Sequence, residues 1–269
     1  MFKVLKKTAL LKTLLVFCLM FGLMTTSVFA NFSGISGQSR VQENLNVKVV
    51  NEQITENSNT FRIQVTNTNK ISTRSVTYFD VAIYGSGGKV YGKITRFGTG
   101  SHKVTIGLYS GSSSASTLIG TPLTTTNVGT VASPTTISAT PTQTQLWKVK
   151  VDGSLEGTPF TYSTYEFLFN KKGVEYPKYT DPISNKLMSV PPVGWTKVSN
   201  PVAALTTTER NNFKKWYETT YNSGKTLDWS NVEVHHVKPR AYGGTHSYGN
   251  LMPLEKTFHS TVTTWWANY

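Results

Sequence analysis

The chain has 269 residues, with 27 Lys and Arg against 14 Asp and Glu, and a single cysteine. A formal charge of +13 points to a polyanionic partner, either nucleic acid or the polymers of a wall or membrane surface. The lone cysteine, Cys18, excludes an internal disulfide framework and a zinc site closed by Cys ligands.

Residues 1–30 read as a secretory signal. Met1 to Lys7 carries three lysines, an apolar run follows from Thr8 to Met24, and Ser27-Val28-Phe29-Ala30 offers small residues for cleavage after Ala30. The expected location is secreted and extracellular. A retained anchor is the competing reading, but the apolar run is short for a span, and no other stretch is long enough to cross a bilayer. Removing the signal takes away four lysines and no acids, leaving 23 basic and 14 acidic side chains, a net of +9. Residues 31–172 hold 13 of these bases and 7 acids, and residues 173–269 hold 10 and 7. The excess charge of the first part either helps to bind a polyanion or serves solubility.

Residues 31–45 are a Ser/Gly/Gln/Asn-rich, flexible lead-in. Over 46–172 the pattern is β. Phe61 to Thr66, Val104 to Leu108 and Trp147 to Val151 alternate apolar with polar or small residues, and Gly, Asn, Ser or Pro flank them. Short strands without intervening helices predict an antiparallel, sandwich-like domain. The Ser/Thr-rich stretch from Ser110 to Thr144 reads either as two edge strands with long loops or as partly disordered chain. His102 lies in a Gly-Thr-Gly-Ser-His-Lys turn and is expected at the surface, and the aromatics from Phe160 to Phe169 are expected in the core.

Residues 173–205 are Pro-rich and read as a linker or an irregular start of the second domain, which covers 206–269. Thr206-Thr207-Thr208-Glu209 offers a capping box, and Phe213, Trp216, Tyr217 and Tyr221 form a helical stripe that ends near Gly224. Arg210, Lys214 and Lys215 fall on its other face, either solvated or within reach of a phosphate backbone.

The tail is the most informative stretch. Glu233 to Val237 alternates and reads as a strand, and it contains the pair His235-His236. Lys238-Pro239-Arg240 and Gly243-Gly244 punctuate a turn, and Asn250-Leu251 follows. From Glu255 onward there is no Gly or Pro, and Phe258, Val262, Trp265 and Trp266 recur at helical spacing, with His259 on the same helix. Adjacent histidines on a strand point to opposite faces, so one can hold a metal while the other works as a base.

This pattern resembles the ββα-metal finger of HNH nucleases, particularly colicin-type DNases and the C-terminal nuclease tips of bacterial polymorphic toxins. The resemblance covers about the last 40 residues. It implies that His235 and His259 are metal ligands, that His236 is the general base and that Asn250 holds that base in orientation. Glu233 occupies the place of an acidic residue of the colicin-type site. Arg240 or Lys238 would clamp a neighbouring phosphate. The sequence departs from the pattern at Thr263, where colicin-type enzymes carry a further His one helical turn after the residue matching His259. Two His ligands with water and substrate oxygens suit Mg²⁺ or Mn²⁺, and equally Zn²⁺ or Ni²⁺.

The fold class expected is therefore α+β, an N-terminal antiparallel β-sandwich-like domain followed by a C-terminal HNH nuclease domain. The expected function is secreted, metal-dependent hydrolysis of DNA phosphodiester bonds with little sequence preference, RNA remaining open as a substrate. Such an enzyme could be an antibacterial toxin, which would demand an immunity protein as partner, or a scavenging nuclease. The alternative is a secreted surface- or wall-binding protein with an inactive or structural metal module.

Overall fold

In the computed structural model, residues 47–54, 58–66, 76–98, 100–130 and 132–269 are described. The expected signal peptide with Cys18, and the lead-in at 31–45, lie outside them. The described chain is mostly antiparallel sheet, with two α-helices near its end.

Alternation builds the sheets. β1 (Val47–Ile54), β2 (Asn59–Thr66), β3 (Val76–Ser86), β4 (Lys89–Phe97) and β7 (Thr135–Ala139) form one five-stranded sheet in the order β1-β2-β3-β4-β7. β5 (His102–Gly111), β6 (Thr117–Thr125), β8 (Gln145–Leu155), β9 (Thr158–Ser163) and β10 (Phe167–Phe169) form the second, in the order β10-β8-β5-β6 with β9 also paired to β8. The stretch read as two edge strands or disordered chain forms β6 and β7, each at a sheet edge.

One core joins the two sheets. Phe61, Ile63 and Val65 of β2 and Phe79, Val81 and Ile83 of β3 are fully buried with Val104 and Ile106 of β5 and Val149 and Val151 of β8. Side chains at i and i+2 share a face, so each strand delivers every second residue to that core, at about 1.5–3 kcal/mol for each large apolar side chain buried. Gly92 shows how closely the sheets approach, because a Cβ there would lie 2.9 Å from Val149 Cγ2. Phe160, Tyr162, Phe167 and Phe169 join this core.

His102 corrects an expectation: it is buried, not at the surface. Its Nε2 accepts the Val128 N–H at 3.0 Å and its Nδ1 lies 3.3 Å from the Gly100 carbonyl. Because Nε2 accepts, a neutral ring carries its proton on Nδ1, toward the Gly100 carbonyl, while Arg96 Nη1 stands 3.1 Å from the same nitrogen.

The two helices are α1 (Thr207–Tyr221) and α2 (Lys256–Ala267). Thr206 and Glu209 close a reciprocal capping box at the start of α1, satisfying backbone donors that the helix cannot. Phe213 and Tyr217 are its buried residues, and they pack with Leu205, Val234 and Leu251. Glu218 accepts from the Leu227 N–H and the Trp229 indole, both at 2.8 Å, and so draws the following loop back along the helix.

Residues 173–205 contain only isolated bridges, Phe169↔Glu175 and Thr180↔Leu187, yet they are packed rather than extended. Tyr176 and Met188 are buried in a core with Leu168, Leu254, Val262, Trp265 and Trp266, and Leu146 of β8 packs against it. The Trp265 indole donates to the Val174 carbonyl at 2.9 Å, and Asn170 donates to the Trp265 carbonyl at 3.2 Å. The Tyr217 hydroxyl also donates to the buried carboxylate of Asp181. The segment read as linker or irregular start is thus irregular in backbone and forms part of the core beneath α2.

Candidate active site

Two short strands, β11 (Val232–His236) and β12 (Leu251–Glu255), pair antiparallel with His235 opposite Met252 and His236 opposite Leu251, and α2 follows β12 directly. Strand alternation sends Val234 and His236 to one face, Glu233 and His235 to the other. Val234 anchors the strand in the core under α1.

On its face, His235 meets the helix. Its ring centroid lies 5.1 Å from that of His259, with the rings at 76°. His235 is only 6% exposed, and its Nε2 is buried without a hydrogen-bond partner among the described residues. A buried ring nitrogen without a partner costs stability, and this one is free to bind a ligand atom. Burial, reinforced by His259 and His236, depresses its pKa to about 3, and burial also lowers that of His259. Both rings are therefore neutral at neutral pH, the form that binds metals. Among the described residues no three His, Cys, Asp or Glu side chains converge on one point. What the donor set fits is an ion held by two imidazoles with its other positions open to water or substrate oxygens.

On the opposite face, His236 is half-buried, and its Nε2 lies 2.9 Å from Nδ1 of His246. Burial, then the nearby His246, Arg240 and Arg210, hold its pKa down to about 4. His246 was not among the residues singled out from sequence. Its offset of ten from His236 matches no helical or strand period, and only its place behind Gly243-Gly244 and before Asn250 could have drawn attention to it.

The loop carrying His246 is tightly specified. Pro239 leads into a 3-10 turn over Arg240–Tyr242, and Gly243 caps it in the left-handed region at φ 84°. A Cβ on Gly244 would sit 1.8 Å from the Lys238 carbonyl oxygen, so only glycine allows this approach. Asn250 then ties the loop shut. Its Oδ1 accepts the Lys238 N–H at 2.8 Å, while its Nδ2 donates to the carbonyls of Lys238 at 3.1 Å and Thr245 at 2.9 Å. Asn250, expected to orient the ring of His236, makes no hydrogen bond to that ring among the described residues. Its amide fixes Thr245, the residue before His246, and His246 in turn contacts His236.

The remaining expected residues have other neighbours. Glu233 is half-exposed and pairs with Arg210 of α1 at 4.0 Å, a weak surface contact. Arg240 donates to the Val202 carbonyl at 2.8 Å while lying close enough to depress His236. The Lys238 ammonium rests over the Trp195 ring at 4.8 Å. Arg210, read from sequence only as one of three bases on the outer face of its helix, reaches the site, since its charge acts on both His236 and His259. At the departing position, Thr263 is exposed, and its hydroxyl donates to the His259 carbonyl at 2.9 Å.

Comparison of the chain with family models, with curated proteins and with solved structures finds no match.

Proposed function

We propose that the protein is a secreted, metal-dependent endonuclease of HNH type that hydrolyses DNA phosphodiester bonds with little sequence preference. The observation that carries this reading is the division between two neighbouring imidazoles. His235 presents a buried nitrogen with no partner among the described residues beside His259, while His236 turns to the opposite side of the strand.

In this reading His236, neutral at neutral pH, takes a proton from the water that attacks the scissile phosphorus. The new O–P bond forms as the bond to the 3′ oxygen breaks, leaving a 5′-phosphate end. His235 and His259 would hold one divalent ion, Mg²⁺, Mn²⁺, Zn²⁺ or Ni²⁺, whose charge stabilises the phosphate and the leaving oxygen. Arg240, bonded to the Val202 carbonyl, supplies positive charge for the substrate backbone, and Arg210, only weakly paired with Glu233, adds to it. Contacts of this kind grip phosphate rather than base edges, so little sequence preference follows. The net charge of +9 over residues 31–269 favours approach to a polyanion.

The test is cleavage of supercoiled plasmid by residues 31–269, with added divalent metal and with a chelator. Metal-dependent nicking is expected. Absence of cleavage across all four metals, or cleavage that a chelator leaves unchanged, would overturn the reading.

A further inference from the structure

We infer that His246 is the positioning residue of His236. By accepting a hydrogen bond from His236 Nε2–H, it leaves Nδ1 as the bare, proton-accepting nitrogen. This rests on the reading of His236 as the base.

His236 Nε2 lies 2.9 Å from His246 Nδ1. Two neutral imidazoles at this separation share one proton between the facing nitrogens, so one ring donates and the other accepts. If His246 donated, both rings would carry their proton on Nδ1. If His236 donates, both carry it on Nε2, the tautomer that an unconstrained histidine side chain prefers. Among the described residues neither His236 Nδ1 nor His246 Nε2 has a hydrogen-bond partner, and the charges nearby, Arg240 and Arg210 on His236 and Glu209 on His246, make no hydrogen bond to either ring. The pair therefore settles with His236 as donor. The hydrogen bond that one ring nitrogen makes decides which nitrogen is free for chemistry.

The protein has fixed His246 for this purpose with more than the ring contact. Asn250 holds the Thr245 carbonyl at 2.9 Å, immediately before His246, and the Asn250 N–H donates to the Ser247 carbonyl at 2.8 Å, immediately after it. The backbone on both sides of His246 is thus bonded to one residue, and Asn250 is itself bonded to the Lys238 backbone two residues beyond His236. The loop has little freedom to withdraw the acceptor, and a preorganised partner of this kind keeps a base within the narrow geometry that proton transfer needs.

The experiment has two arms, both on residues 31–269. In the first, ¹⁵N-labelled, metal-free protein is held at about pH 8, above the ordinary imidazole range, and the side-chain nitrogen shifts of His236 are read by long-range ¹H–¹⁵N correlation. The wild type should show a protonated Nε2 and a bare Nδ1. His246→Ala should show mixed tautomers at His236, and His246→Asn, whose side-chain oxygen can still accept, should restore the wild-type pattern. In the second arm, kcat for plasmid nicking should fall roughly 10- to 100-fold in His246→Ala, less than the ~10²–10⁴-fold expected for loss of the base itself, with KM little changed and His246→Asn intermediate. A protonated Nδ1 on His236 in the wild type would overturn the inference. So would His246→Ala that keeps both tautomer and kcat, or a loss that His246→Asn fails to rescue. The first arm needs no substrate, so failure of this inference is separable from failure of the nuclease reading, which shows as a wild type that cuts nothing.

Discussion

Asn250 grips the backbone of Lys238 from both sides, accepting its N–H at 2.8 Å and donating to its carbonyl at 3.1 Å. A third bond, to the Thr245 carbonyl at 2.9 Å, brings the two ends of the Gly-Gly loop together. Only a carboxamide can accept and donate at once in this way. Asn250→Ala should lower unfolding free energy in urea by about 2–4 kcal/mol, because it leaves half-buried backbone groups unpaired. Asn250→Asp should be at least as harmful, since a carboxylate would face two carbonyl oxygens. An aspartate variant as stable as the wild type would show that the donated bonds contribute nothing.

His235 carries an opposite expectation for stability and for binding. Its buried Nε2 has no partner among the described residues, so His235→Leu, which fills similar space without a polar atom, should raise the stability of the metal-free protein by about 1–2 kcal/mol. The same substitution should abolish the rise in Tm that Mn²⁺ or Ni²⁺ gives the wild type, and His259→Ala should reduce that rise. A His235→Leu protein whose Tm still climbs with metal would place the ion elsewhere.

The core that backs α2 draws on both parts of the chain. Leu146 and Leu168 pack into it with Trp265 and Trp266, and Asn170 bonds the Trp265 carbonyl. Residues 173–269 expressed alone should therefore lack a cooperative thermal transition and bind hydrophobic dye. A sharp melt from that fragment would show that the second half carries its own sufficient core.

What the sequence disclosed and what it hid follow from the range of the interactions. The alternation in Phe61 to Thr66 or Trp147 to Val151 is a local signal, as are the Thr206–Glu209 capping box and the spacing of Val262, Trp265 and Trp266, and each lies on the element it suggested. Residues 173–205 gave no such pattern, because irregular backbone buries Tyr176 and Met188 at no fixed period. His246 and the partners of Lys238 and Arg240 were equally hidden. A loop fold fixed by Gly244 and Asn250 brings His246 to His236, and Trp195 and Val202 are remote in sequence from the bases they engage. His102 was misread for the same reason, since its burial depends on Val128, far along the chain.

His102 also gives a pH dependence with a definite sign. Burial, helped by Arg96, lowers its folded pKa below the ordinary imidazole value, while the bond to Gly100 opposes this. The folded state therefore binds fewer protons than the unfolded one. Its stabilising contribution is complete above about pH 6.5 and is lost as pH falls toward the folded pKa, by at most about 1.4 kcal/mol per pH unit. Urea midpoints measured between about pH 5 and 7.5 should fall with pH less steeply in His102→Gln than in the wild type. Parallel curves would mean that His102 titrates alike in both states.

In the proposed mechanism two adjacent histidines have different tasks, His235 holding metal and His236 taking the proton. One variant separates the two tasks: His236→Ala, assayed for plasmid nicking and, by calorimetry, for binding of Mn²⁺ to chelator-stripped protein. The account predicts a fall in cleavage of roughly 10²–10⁴-fold with metal affinity close to that of the wild type. Cleavage at the wild-type rate, or metal affinity lost together with cleavage, would contradict it.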